Sequence, residues 1–326
     1  MDQDLPIIVF GEDWHGLPSS TQHLAKHLSK RRQIIWINSI GLRQPRLAFK
    51  DIKRIASKLK GFATGGNKLA SDKQTSLEPL HSEHPNVHVC NLLTWPAPRS
   101  FVMRYLCGWL MSTQLKRQLA KRGITRAHLW ASLPTAVDCI RFFQPESTIY
   151  YCCDDFSSLA GVDHDTVSLH EKDLAKIADT IFYTQNSLSS KFDSAKSHYL
   201  PHGVDYELFS EHQPEAADQP NDKPIIGFYG SLEEWLDLQL IRDIATALPD
   251  HNFVFIGAKK VNTQELENLS NVHLLGPRKH SDLPSYSQYW AYALLPFKLT
   301  KQIAHCNPLK LREYLAAGCN VISTNF

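Results

Sequence analysis

No apolar run in this sequence reaches the roughly 18 residues that a membrane-spanning helix needs, so no spanning helix is expected. The N-terminus carries neither a basic n-region nor a long apolar h-region; no secretory signal is expected, and a cytoplasmic location is the default. The seven cysteines (Cys90, Cys107, Cys139, Cys152, Cys153, Cys306, Cys319) are odd in number and scattered. None forms a C-x-x-C pair, so neither a zinc site nor a disulfide framework is signalled. Cys152 and Cys153, adjacent inside an apolar run, read as small core residues. An excess of one charge is also missing. With 35 Lys and Arg against 33 Asp and Glu, the net charge of +2 is far from that of a dedicated nucleic-acid binder. There is no G-x-G-x-x-G and no Walker pattern, so dinucleotide and P-loop readings lose support. Short-period repeats and low-complexity tracts are absent as well.

What remains is an ordinary globular composition, 43% apolar and 21% charged, over 326 residues. That length exceeds what one core usually serves, so two domains are expected. Short apolar runs rich in β-branched and aromatic residues predict strands at Pro6–Phe10, Ile34–Asn38, Val87–Leu93, His128–Leu133, Thr148–Cys153, Thr180–Thr184 and His198–Pro201. Helical stretches fall near 20–31, 101–122, 135–143 and 165–178. This alternation argues for a parallel sheet with helices on both faces, and unbroken runs such as IIVF and IIWI fit strands buried on both sides. The polar segment Ser210–Lys223 (SEHQPEAADQPNDK) reads as a linker. Beyond it strands are predicted again at Ile225–Tyr229, Phe253–Gly257, Val272–Leu275, Ala291–Pro296 and Asn320–Thr324. The expected organisation is therefore an α/β domain over 1–209, a linker over 210–223 and a second α/β domain over 224–326, with a ligand cleft between the two. Residues 61–76 read as a mobile loop.

The most informative stretch is His305-Cys306-Asn307-Pro308-Leu309-Lys310-Leu311-Arg312-Glu313-Tyr314-Leu315-Ala316-Ala317-Gly318. Asn307 suits an N-cap, Pro308 the first helical position and Gly318 the residue past the helix end. A helix opening just after a strand turns its N-terminal amides and positive dipole end toward a ligand, which suits a phosphate. Lys310 in the first turn would add a full positive charge. Glu313 lies on the same face and could accept hydrogen bonds from ribose hydroxyls. The plain alternative is an ordinary capped surface helix.

NPLKLREYLAAG followed by an apolar strand resembles the donor-site signature of GT-B glycosyltransferases. The likeness is to the retaining family that includes sucrose and glycogen synthases, and within it to a bacterial exopolysaccharide and teichuronic acid branch. Pro201-His202-Gly203-Val204-Asp205 resembles the P-N-G-V-D turn closing the first domain. Ile226-Gly227-Phe228-Tyr229-Gly230-Ser231 resembles the opening strand and loop of the donor domain, and Asn271–Gly276 the strand before the base-binding region. The resemblance implies a GT-B fold, two Rossmann-like domains facing each other across a cleft. It also implies a nucleoside diphosphate sugar as donor substrate, no cofactor and no metal. Donor contacts would come from Glu313, Lys310, Asn307, Pro308, Leu309, Gly230 and Ser231. Glu313 matches the second Glu of the family's E-x7-E motif. The first Glu is replaced by His305, a candidate catalytic residue in contact with the sugar or a phosphate, or else a residue that simply shapes the loop. The family's basic pair after the first donor-domain strand is also absent, Glu233-Glu234-Trp235-Leu236-Asp237 standing there, which leaves Lys310, Lys298 or Lys301 to meet the diphosphate. Enzymes of this fold normally continue past the strand at 320–324, so the second domain is expected to be truncated at its C-terminus, or this member to be a short one.

The loop Gly11–Thr21 after the first strand matches the family's cleft-lining loop, with Gly16, His15, Ser19 and Ser20 as candidate ligands; simple capping of a helix is the alternative. Asp154 and Asp155 follow the strand ending at Cys153, where one could act as general base toward an acceptor hydroxyl, or both could cap a turn. In Arg43–Lys60 (RQPRLAFKDIKRIASKLK) basic residues surround the stripe Leu47, Ile52, Ile55 and Leu59. This segment reads either as a helix on the anionic inner-membrane surface or as a surface helix over the core. Phe101–Met111 (FVMRYLCGWLM) carries the same two readings. A peripheral membrane position would suit a carbohydrate or lipid-linked sugar acceptor. The reading is thus a cytoplasmic transferase of hexosyl type serving cell-surface polysaccharide biosynthesis. A nucleotide-sugar epimerase of the same fold, or a non-catalytic nucleotide-sugar-binding scaffold, is the rival.

Overall fold

The structure, a computed structural model, describes residues 5–16, 18–42, 84–159, 161–304 and 306–326. The readings placed on 43–60, on 61–76 and on His305 lie outside the described residues. The chain forms two compact units, Met1–Tyr183 with Ser189–Tyr199, and Thr184–Leu188 with Leu200–Phe326.

In the first unit the elements run β1 (Ile7–Phe10), α1 (Ser20–Ser29), β2 (Ile34–Ile37), β3 (Val87–Cys90), α2 (Phe101–Ala120), β4 (His128–Ala131), α3 (Val137–Ile140), β5 (Thr148–Cys152), α4 (His164–Ile177), β6 (Thr180–Tyr183) and β7 (Ser197–Tyr199). The strands form one parallel sheet in the order β3-β2-β1-β4-β5-β6-β7. Ile8, Ile34, Ile35, Trp36 and Ile37 are fully buried, as expected of parallel strands covered on both faces. Winding reverses between β1 and β4, so the loops leaving their carboxyl ends flank a switch point, the usual ligand crevice of such sheets.

The second unit continues with α5 (Tyr206–Ser210), β8 (Ile225–Tyr229), α6 (Leu238–Ala247), β9 (Asn252–Ile256), α7 (Gln264–Glu267), β10 (Val272–Leu274), α8 (Pro284–Ser287), β11 (Tyr292–Leu295), α9 (Lys301–Ala304), α10 (Leu309–Ala316) and β12 (Asn320–Ser323). Its parallel sheet has the order β10-β9-β8-β11-β12, with the switch point between β8 and β11. The core gathers Phe228, Phe253, Phe255, Ile241 and Tyr314. Burying each such side chain contributes roughly 1.5–3 kcal/mol.

Two expectations change. The units do not divide at 209, because Phe209 of α5 is fully buried in the second unit's core. The segment 210–223 is not a free linker either. Gln219 is buried and its side-chain carbonyl accepts from Trp290 Nε1 at 2.8 Å, while Asp218 accepts from Tyr286 Oη at 2.6 Å and pairs with Arg278. Phe101–Met111 lies on a helix at the surface, as both of its readings have it: Cys107, Gly108 and Met111 turn inward, Arg104 is drawn in to Asp138 and Asp173, and Phe101, Val102, Tyr105, Leu106 and Trp109 are exposed.

Candidate functional site

The second unit brings its site together at the β8/β11 switch point. Gly230, the residue after β8, has φ +134°, a conformation that only glycine adopts at low cost. A Cβ on it would fall 2.4 Å from Lys310 Cε, so the missing side chain is what admits Lys310. Lys310 Nζ lies 5.9 Å from the centroid of the Phe228 ring. Among the described residues it has no hydrogen-bond or ion-pair partner. Burial lowers its pKa against the opposing pull of the Glu313 charge. A close-packed cation without a partner is costly, and an anion arriving there would relieve that cost.

Glu313 follows on the same helix, 9% exposed. Its Oε2 accepts from Tyr229 Oη at 2.9 Å, and its Oε1 lies 2.8 Å from His280 Nε2. Burial works to raise its pKa, but the hydrogen bonds from His280 and Tyr229 and the charges of His280 and Lys310 outweigh it, and the net shift is downward. Burial and the Glu313 charge push Tyr229 well above the ordinary phenol range, so it stays a donor. Tyr314, the next residue, is fully buried and its Oη accepts from the Tyr229 amide at 3.1 Å. The Glu313 carboxylate is therefore set rigidly, with its remaining lone pairs as acceptors. His280 was not among the expected residues. It lies 33 positions from Glu313, in a Pro277-Arg278-Lys279-His280 stretch with no motif.

α10 opens one residue later than predicted. Pro308 occupies the N-cap and no side chain among the described residues caps the first turn, which leaves the amides of Leu309 and Lys310 without a side-chain acceptor there. Asn307 is not the cap. Its Nδ2 donates to the Thr184 carbonyl at 2.7 Å and its Oδ1 accepts from Arg312 Nη1 at 2.7 Å, so it fastens the loop. Gly318, at φ +80°, ends the helix as predicted. Ser231 Oγ has no hydrogen-bond partner among the described residues. Lys298 Nζ is turned to the Glu234 carbonyl at 2.8 Å, and Lys301 is exposed on α9. Lys310, Ser231 and the first-turn amides of α10 are thus the groups available to phosphate oxygens.

In the first unit the β1 loop and the end of β5 meet. Ser19 is the N-cap of α1, in a capping box with Gln22, and its Oγ donates to Glu12 Oε2 at 3.0 Å. Ser20 is buried in the first turn, hydrogen-bonded to Tyr151. The fold thus uses both serines. His15 and Gly16 are exposed in the loop, whose bend is closed by the Gly16 amide donating to the Asp13 carbonyl at 2.7 Å. Asp155 is anchored on all sides: it accepts from the Ser157 amide and from the Ser157 and Ser158 hydroxyls, and pairs with Lys191 at 3.0 Å. Burial works to raise its carboxyl, but those bonds win and hold it at about 2. So low a value makes it a poor base and a good turn anchor. Asp154 is open to solvent, yet the protein mass around it, then the charges of Glu12 and Asp155, push its carboxyl up to about 6. Glu12, which sequence reasoning missed, is thus part of what tunes Asp154. Of two D-x-D strings in the chain, Asp2–Asp4 lies outside the described residues. In the other, Asp163–Asp165, Asp163 caps α4 and pairs with Arg99 at 2.7 Å.

Two parallel, doubly wound α/β units with this strand order have the GT-B fold, and comparison with known proteins agrees. The chain is similar to TuaH of Bacillus subtilis, whose name assigns it provisionally to teichuronic acid biosynthesis as a glycosyltransferase. Identity is 28% over 222 residues, covering 61% of this chain and 56% of that one. The chain thus spans little more than half the length of that relative. No family model matches. Among solved structures, the UDP-forming α,α-trehalose-phosphate synthase of Burkholderia vietnamiensis superposes with a TM-score of 0.54 at 12% identity, over 96% of this chain and 82% of that one. The catalytic domain of starch synthase IV from Arabidopsis thaliana, bound to ADP and acarbose, gives 0.55 at 11% identity, over 98% and 82%. At such identities the likeness speaks for the fold.

Proposed function

We propose that the chain is the working part of a glycosyltransferase that moves a sugar, of hexosyl type, from a nucleoside diphosphate donor to a hydroxyl acceptor in cell-surface polysaccharide biosynthesis. One observation carries this reading: the unpartnered Lys310 lies against the side-chain-free Gly230 at the switch point, one helical turn from the fixed carboxylate of Glu313. Lys310 and the α10 amides would hold the diphosphate and stabilise its charge as the bond to the anomeric carbon breaks, without a metal in the role; stabilisation of this kind is usually the largest catalytic contribution. Glu313 would accept from the ribose hydroxyls. Asp154 would take the acceptor's proton as the new glycosidic bond forms, its value of about 6 suiting a base near neutral pH. The acceptor is a carbohydrate or a lipid-linked sugar, and 43–60 would lie on the membrane. No helix among the described residues is long and apolar enough to cross a membrane. The epimerase and scaffold rivals are not favoured: the relative is named a glycosyltransferase, and the epimerase reading leaves the acceptor side without a purpose.

The test is product analysis. Incubation with nucleotide sugars and a carbohydrate or polyprenyl-linked acceptor should release nucleoside diphosphate in step with glycosylated acceptor. Donor binding without release would favour a scaffold, and conversion of the donor's sugar without any acceptor an epimerase.

A further inference from the structure

α2 is firmly seated on the first unit and leaves its outer face bare. Gly108 makes the seating possible: a Cβ there would fall 2.1 Å from the Asp138 carbonyl oxygen, so the helix backbone packs directly on α3. Cys107, Met111, Leu115 and Leu119 complete the inner stripe. The outer face is fixed by this docking. In its first half it presents Phe101 at 71% exposure, Val102 at 65%, Tyr105 at 54%, Leu106 at 51% and Trp109 at 55%. A run of this size exceeds the scattered apolar exposure normal for a soluble surface.

The same outward line changes character along the helix. At helical spacing, Val102, Leu106 and Trp109 are followed by Thr113, Lys116 and Arg117, and Lys121 comes just past the helix end. Lys116, Arg117 and Lys121 have no ion-pair partner among the described residues. The sequence contains no acidic residue at all between Glu83 and Asp138. Beside the basic half lies a groove of about 760 Å³, apolar at Leu119, Ile124, Phe142 and Phe143 and cationic at Lys116, while Arg141 in its lining is paired with Asp173 at 2.7 Å. An apolar half with Trp and Tyr, continued by an unpaired basic half free of acids, is the composition that lies in a bilayer interface and meets anionic headgroups. A protein partner would have to match a wide apolar face with an acidic one beside it.

We propose that the outer face of α2 docks the protein on an anionic phospholipid surface, Phe101–Leu110 entering the interface and Lys116, Arg117 and Lys121 lying at headgroup level. The proposal is independent of the glycosyltransferase reading and extends the membrane contact beyond the run at 43–60.

The test is co-sedimentation of the full chain with vesicles of phosphatidylcholine alone and of phosphatidylcholine with phosphatidylglycerol. The expected result is at least tenfold stronger partitioning onto the anionic vesicles, weakened by salt. It should fall at least tenfold in Leu106→Asp/Trp109→Asp and, separately, in Lys116→Glu/Arg117→Glu. Unchanged thermal unfolding of either pair shows that the loss is not misfolding. Three results would overturn the proposal: no partitioning of the wild type; partitioning that both variant pairs leave intact, which assigns the contact to another surface such as 43–60; or a dimer in solution, with no vesicle binding, that the apolar variant dissolves.

Discussion

The hydrogen bond between Tyr229 and Glu313 ties β8 to α10, and its removal should register in stability before any substrate is added. Glu313→Ala leaves the Tyr229 hydroxyl buried without its acceptor and takes the carboxylate away from His280. A hydrogen bond to a charged group is worth roughly 1.5–3 kcal/mol, and stranding a buried donor costs a similar amount. The loss expected from urea unfolding at pH 7 is therefore about 2–3 kcal/mol. Tyr229→Phe, which leaves Glu313 its His280 contact, should lose about 1–2 kcal/mol. The double variant should lose less than the sum by about 1.5 kcal/mol, the coupling expected of contacting residues. The pH sign follows from the lowered pKa of Glu313. Its contribution is full above the ordinary value of 4.5 and is lost as pH falls through the lower folded value. The coupling should accordingly shrink in acid. Additivity within about 0.3 kcal/mol at pH 7, or a coupling indifferent to pH, would refute the geometry.

Gly230→Ala places a side chain at φ +134° against Lys310, and should cost about 1–3 kcal/mol in stability and at least tenfold in donor affinity by calorimetry. Gly123→Ala, at φ +66° with open space around its Cβ, is the control that should leave the affinity alone. In kcat/KM the base reading of Asp154 predicts an acid limb centred near pH 6, present in Asp155→Asn and missing from Asp154→Asn, which should be about 10²–10⁴-fold slower. A limb that survives in Asp154→Asn assigns the base elsewhere. Asp155→Asn should instead lose loop stability, a loss that in the wild type sets in only as pH falls from 3.8 toward 2.

The fold was legible because buried parallel strands announce themselves. IIVF, IIWI, IIGFY and NFVFI are unbroken apolar runs, and the predicted strands fall within a few residues of the observed ones. The segment at 210–223 misled because composition reports solvation and not tethering; Gln219 meets Trp290 71 positions away, and no local pattern carries that. The same holds for His280 on Glu313 and for Glu12 beside Asp154. By contrast, the fate of Asp155 was readable, since Asp155-Phe156-Ser157-Ser158 is a local side-chain turn. Phe101–Met111 reads equally as a helix on a membrane and as a surface helix over the core, because hydropathy alone does not say which face of a helix finds a partner.

The central claim is that the β8/β11 switch point holds a nucleoside diphosphate. Calorimetry of the folded chain against a panel of nucleoside diphosphates and nucleotide sugars tests it most directly. One diphosphate should bind in the micromolar range and weaken at least tenfold, about 1.4 kcal/mol, in Lys310→Ala and again in Glu313→Ala. Absence of binding across the panel by the folded wild type, or binding that both variants leave unchanged, would contradict it.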